Sequence, residues 1–244
     1  MSSTGLRRFV AGAAAPTGQA PSAGPAAPAP GTTAVQEFGR AAAAEEACEF
    51  CAETIPAHHD HVADTGGPTL MCACRACYLL FTSTGAGMAM GGRGRYKAVP
   101  DRYRSDVARP LSAAEYDALE IPVGLAFFLR SSGSEDTRAF YPSPAGVTES
   151  QLNLEAWTQI AAQHPLLESA EPDVEAILIS RGSAGPGGQP GVEAFLVPVD
   201  ACYELAGRMR LLWRGFDGGA EARQSIADFL ARVRERSRDL SRER

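Results

Sequence analysis

At 244 residues, with 45% hydrophobic residues and a net charge of -6, the chain has the composition of a globular protein larger than one small domain. No run approaches the roughly 18 uninterrupted apolar residues of a membrane-spanning helix, and the acidic balance disfavours a general polyanion binder, which depends on surplus Lys and Arg. Five of the six cysteines fall between positions 48 and 77, a clustering that points to metal ligation in a reducing, cytoplasmic compartment more than to a disulfide framework.

At the N-terminus, Arg7 and Arg8 in LRRFV are followed by proline and glycine where an export signal needs an unbroken apolar region, so the segment reads as the tip of a tail. Across residues 11–34, 19 of 24 positions are Ala, Pro or Gly, and such a stretch has nothing large to bury against its ordering entropy. Residues 1–45 are therefore expected to be a disordered tail, with an alanine-rich piece at 35–47 able to form a short helix. Residues 46–84 form a zinc-ribbon-like metal module, 85–119 a Gly- and Arg-rich connection, and 120–238 an α+β domain.

Within that last domain, IPVGLAFFLR (121–130) and residues 137–141 read as a hairpin around SSGSED, with Pro142 and Pro144 stopping the second strand. Leu154, Trp157 and Ile160 recur at helical spacing, Asn153 is placed as a cap, and Pro165 lies beyond the end, which predicts a helix over 154–164. Residues 174–180 and 192–199 are β-rich runs joined by a glycine-rich connection, a second hairpin. Asp200 stands where it would cap a helix running to Arg214, with Cys202, Leu205, Met209 and Leu212 on one face. After WRGFDGG, whose glycines permit positive φ, a final helix from about Ala220 carries Ile226, Phe229, Leu230 and Val233, and frays into a charged tail. The fold class expected is α+β: a small zinc-ribbon-like knuckle, then an antiparallel sheet of two hairpins packed with three helices.

The chemistry concentrates in CEFC and CACRAC. Two cysteines separated by two residues wrap one ion because the turn aims both sulfurs and its backbone N–H groups inward, and two such turns close a tetrahedron. Cys48, Cys51, Cys74 and Cys77 give two matching knuckles with 22 residues between them, room for a hairpin. Cys72 is the spare, an alternative ligand or a neighbour of the site. Of the histidines in AHHDHVAD, His58 reads as a plain loop residue, whereas His59 and His61 are placed to support the ligands from outside. Zinc is the metal favoured by this donor set; iron in a rubredoxin-like site uses the same ligands. A redox dithiol at CEFC is the rival reading, disfavoured by the second matching knuckle.

Other constellations are weaker. GAGMAMGGRGRYK lacks the Gly-Lys-Ser/Thr ending of a phosphate loop. The six basic residues from Arg93 to Arg109, interleaved with Tyr96 and Tyr103, would suit a phosphate backbone or an acidic surface, or form a solvated loop. Ser143 lacks a nucleophile elbow, His164 ends a helix, and Cys202 lies on a core stripe, so no base, nucleophile and electrophile converge and no catalysis is assigned.

The segments CEFC, HDH, CACRACYLLF, IPVGLAFF, YPSPAGVTES, PDVEAILISR, VPVDACYELAGRMR and WRGFDGG resemble an uncharacterised bacterial family, found chiefly in actinobacteria and encoded among the accessory genes of high-affinity, oxygen-tolerant nickel-iron hydrogenases. The resemblance covers roughly residues 46–235. It implies a role near hydrogenase assembly or electron transfer, and a protein partner that is a hydrogenase subunit or maturation factor. The resulting expectation is a non-enzymatic metal-binding accessory protein; the alternatives are a rubredoxin-like iron electron carrier and a nucleic-acid-binding zinc-ribbon regulator.

Overall fold

Why residues 125–130 and 175–180 form strands is visible in where their side chains go: neighbours along each strand enter different cores, on opposite faces of one sheet. The computed structural model describes residues 46–66, 69–82, 95–133, 137–184, 190–215 and 217–243, which belong to one compact unit. The expected tail with LRRFV and the alanine-rich piece to residue 45, Arg93, and parts of the Gly/Arg-rich connection and of both glycine-rich hairpin turns lie outside the described residues.

Two sheets are present, and the fold is α+β as expected. The small one has order β2-β1-β3, built from β1 (Asp60–Asp64), β2 (Thr69–Ala73) and β3 (Tyr96–Ala98), all antiparallel. Helix α1 (Arg75–Thr82) follows β2 directly. The large one has seven strands, β4 (Arg104–Ser105), β5 (Leu125–Arg130), β6 (Thr137–Ser143), β7 (Gly146–Ser150), β8 (Glu175–Ala184), β9 (Pro190–Pro198) and β10 (Arg238–Asp239), in the order β10-β4-β9-β8-β5-β6-β7. The two expected hairpins, β5-β6 and β8-β9, form its centre.

Helices cover both faces of the large sheet. On one side Ala126, Phe128, Ile177, Ile179 and Leu196 pack against α2 (Ala113–Ala118), α3 (Leu154–Ala161) and α4 (Pro165–Glu168) through Tyr116, Trp157, Ile160, Leu166 and Leu167. The Phe128 and Trp157 rings stack at 4.4 Å between centroids. On the other side Leu125, Phe127, Leu178, Phe195 and Val197 pack against α5 (Val199–Leu212) and α6 (Gly219–Arg236) through Leu205, Met209, Phe229 and Val233. A strand buried on both faces needs apolar residues at consecutive positions, which is why AILI in β8 shows no alternation.

Four local expectations are corrected. Strand β6 continues through Pro142, which opposes Val147 of β7. Pairing of β6 with β5 ends at Phe140, so the proline sits where one side of the strand has no ladder to interrupt. The helix expected over 154–164 is two: α3 ends at Ala161, and Pro165 opens α4 at a first-turn position where its missing N–H costs nothing. Asn153 does cap α3, accepting from the Ala156 N–H at 3.1 Å. Asp200 does not cap α5, whose N-cap is Pro198; it lies in the first turn and faces His61 instead. Finally, the charged tail does not simply fray: Arg238 and Asp239 pair in parallel with Arg104 and Ser105, and a 3-10 turn, Leu240–Glu243, follows.

Ala63 and Val99, from the small sheet and the segment after it, share a buried cluster with Val174 and Val199, which precede β8 and open α5. Charged contacts reinforce the join. Lys97 Nζ donates to Asp173 Oδ2 at 3.1 Å, and Arg102 makes a two-pronged pair with Glu175 at 2.6 and 2.5 Å. Glu175 is fully buried and also accepts from the Glu171 N–H. A buried carboxylate is tolerable only while its partners neutralise it. We predict that Arg102→Ala lowers unfolding free energy by about 3 kcal/mol or more, read as a reduced urea midpoint with an unchanged slope.

Candidate metal centre

The first cysteine turn is closed by its own backbone. The Cys48 N–H donates to Glu53 O at 2.8 Å, the Ala52 N–H to Cys48 O at 2.8 Å, and the Ile55 N–H to Glu46 O at 2.8 Å, with a bridge between Ala47 and Thr54. The turn requires a left-handed residue immediately after Cys51, supplied by Ala52 at φ 61°, an uncommon conformation for a side chain with a Cβ. The second turn is the start of α1: Cys74 precedes the helix and Cys77 lies in its first turn, where its N–H points at Cys74 Sγ, 3.5 Å away.

The β1-β2 hairpin brings the turns together. Its register, Asp60 opposite Ala73 through Asp64 opposite Thr69, returns the chain beside its starting point, and the Glu49 N–H donates to Cys72 O at 2.9 Å. Aromatic packing then joins the three pieces. Phe50, between the first two cysteines, meets Phe81 of α1 at 4.9 Å and Tyr96 of β3 at 5.8 Å. The hydroxyl of Tyr78, on α1, donates to Val99 O at 3.1 Å.

The outcome is that one sulfur from each of Cys48, Cys51, Cys74 and Cys77 lies within 4.8 Å of all the others. The Cys51 and Cys74 sulfurs are 3.7 Å apart. A tetrahedron with metal–sulfur bonds of about 2.3 Å has edges of about 3.8 Å, so the donor set fits a tetrahedral ion of the zinc or iron class. Cys48 and Cys74 are buried, and Cys51 is exposed. Burial opposes ionisation of Cys48, but backbone N–H groups of Cys74, Phe50 and Cys51 directed at its sulfur outweigh it and draw the thiol down to about 6. The N–H of Cys77 favours ionisation of Cys74, yet burial and the adjoining Cys51 and Cys48 sulfurs leave that thiol raised; burial and the same crowding push Cys77 up further. Crowded sulfurs that cannot all ionise together are stabilised by a shared cation.

Cys72, the spare, is placed elsewhere. It faces His61 directly across the hairpin, and with His59 and His61 it forms a second group whose ligand atoms lie within 4.8 Å of one another. His58 is exposed. His61 Nδ1 is 3.0 Å from Asp200 Oδ2, a contact between residues 139 positions apart that no local pattern in the sequence signals.

The remaining candidates have structural partners. Arg95 pairs with Asp64, Lys97 with Asp173 and Arg102 with Glu175, so three cations of the basic segment are already matched to acids. The Ser143 hydroxyl accepts from Thr148 Oγ1 at 2.8 Å within the β6-β7 turn. Buried His164 bridges Glu115 Oε1 and Arg109 O. Cys202 is buried on α5, and burial pushes its thiol up. Among the described residues, no helix is long and apolar enough to cross a membrane.

Fold and site together define an α+β protein with a four-cysteine cluster able to hold a metal ion. The chain belongs to the family of unknown function DUF5947, which it matches over residues 47–237, from the first cysteine turn through α6. No curated protein and no solved structure matches it.

Because Tyr78 ties the helix bearing Cys77 to the chain leaving β3, its hydroxyl stabilises the module directly. Tyr78→Phe leaves Val99 O without that donor and is expected to cost about 1–2 kcal/mol, measurable by equilibrium unfolding of the reduced, metal-free protein.

Proposed function

We propose that the protein is a metal-binding accessory protein in which Cys48, Cys51, Cys74 and Cys77 hold one structural zinc ion, and that it acts through protein–protein contacts. The observation that carries this reading is the convergence of four sulfurs from two N–H-lined turns, a donor set with no vacant protein position for substrate. The module around it is small, with buried clusters of three residues each, Cys48, Ile55 and Cys74 in one and Val62, Ala73 and Tyr78 in the other. Modules of this size commonly need a cross-link beyond their apolar core, and a four-cysteine ion supplies one.

The partner follows from the resemblance of the sequence to a family encoded beside nickel-iron hydrogenases: a hydrogenase subunit or maturation factor. Leu79 and Leu80, 48% and 45% exposed on the helix that carries Cys77, are large apolar groups suited to such a contact. Iron in the same four positions is the competing occupant, and would make the protein a one-electron carrier; the sulfur geometry suits both metals.

Protein purified without a tag is expected to contain one equivalent of zinc at the four cysteines, lost in Cys48→Ser and in Cys74→Ser and stripped from the wild type by a strong chelator. A visible thiolate-to-iron absorption that bleaches reversibly on reduction would replace zinc with iron. For the partner, affinity capture from cells producing the hydrogenase should recover a hydrogenase component; its absence, with unchanged hydrogen uptake in a deletion strain, would dismiss that part of the proposal.

A further inference from the structure

The ring of His59 is almost withdrawn from solvent, its side chain 7% exposed, yet its Nε2 is buried with no hydrogen-bond partner. The other nitrogen is committed: Nδ1 lies 2.9 Å from Pro56 O and 3.4 Å from Glu46 Oε2, both acceptors, so Nδ1 carries the proton. Nε2 of the neutral ring is then an unprotonated lone pair, enclosed and unanswered. Proteins leave such a group in place where something outside the chain completes it.

A second imidazole stands against the first. The His59 and His61 rings are 4.7 Å apart, and His61 Nδ1 faces Asp200 Oδ2 at 3.0 Å. A carboxylate there holds the proton on Nδ1 and leaves Nε2 as the basic nitrogen, the arrangement by which a carboxylate orients a metal-binding histidine. Directly across the hairpin from His61 is Cys72, and one ligand atom from each of the three residues lies within 4.8 Å of the others.

We infer that His59, His61 and Cys72 form a second cation site, separate from the four-cysteine cluster, that takes a zinc-class divalent ion through two Nε2 atoms and one thiolate. Three protein ligands leave one position open to water or to a ligand from a partner, unlike the closed set beside it. Met71 pairs with Val62, on the face of the hairpin away from His61 and Cys72, so these strands do not place a thioether where a blue-copper centre would use one. Asp200 is a positioning residue: it touches no ion and acts through His61.

The two sites are neighbours. Cys72 packs against the cluster containing Cys48 and Cys74, so their occupancies must be read separately. Cobalt(II), a zinc stand-in whose absorption reports coordination, is titrated into the metal-free full chain under reducing, oxygen-free conditions. The expected result is two equivalents per chain. His59→Ala and His61→Ala should each lose the second and keep the first, and Cys48→Ser should lose the first and keep the second. Asp200→Asn should retain both but bind the second roughly ten- to a hundredfold more weakly, an effect that simple loss of fold would not confine to one equivalent.

Saturation of the wild type at one equivalent that the His59→Ala/His61→Ala double variant retains overturns the proposal, as does a double variant that still binds two. Loss of both equivalents in a histidine variant with native circular dichroism overturns it too, because the three residues would then belong to one shared site. Since the first equivalent is followed through Cys48→Ser, failure of the four-cysteine reading shows independently of this one.

Discussion

Four sulfur atoms confined within 4.8 Å of one another cannot all carry full negative charge without a counter-ion, and they cannot move apart without undoing the turns that present them. That confinement organises the N-terminal module. Backbone N–H groups are spent on sulfur instead of on a regular ladder, Ala52 takes a left-handed conformation, and α1 begins at the sulfur of Cys74. Each of these features is unfavourable or neutral for a short peptide alone, and becomes favourable once the sulfurs share one centre.

The module is also joined to the rest of the protein, and the join has two kinds of bond. The apolar cluster of Ala63, Val99, Val174 and Val199 supplies area, and the pairs Lys97 with Asp173, Arg102 with Glu175 and His61 with Asp200 supply direction. Buried or half-buried charge pairs such as the two formed by Lys97 and Arg102 contribute modestly to net stability but penalise any arrangement that separates them, and the hydrogen bond of His61 is directional in the same way. They fix how β1 and β3 meet the start of β8 and α5, and thereby hold His61 where its ring meets that of His59.

Spacing made the four-cysteine cluster legible, because two matching CxxC turns separated by a hairpin's length admit few other geometries. The β5-β6 and β8-β9 hairpins were legible from β-rich runs bounded by glycine, and α3 from Asn153 and its apolar spacing. The misses share a cause. Pro142 reads as a stop because the sequence does not reveal that pairing of β6 with β5 ends at Phe140, two residues earlier. Asp200 reads as a cap because its local context suits one, whereas its contact lies 139 positions away. The grouping of Cys72 with His59 and His61 depends on hairpin register, and a shift of one residue would send Cys72 to the other face. Strands of two residues such as β4 and β10 are too brief to leave any pattern.

The parallel pairing of β10 with β4 has a consequence for how the chain matures on the ribosome. Residues 104–105 find one neighbour in β9 and the other in residues 238–239, so this edge of the sheet stays incomplete until residue 239 has emerged. Cys51 and Cys74, by contrast, are only 23 positions apart, and the small sheet needs nothing beyond residue 98. The low contact order of the cysteine module allows it to form early, while the segment beside it waits exposed for strands not yet synthesised, a window in which chaperone binding or strand mispairing would be decided.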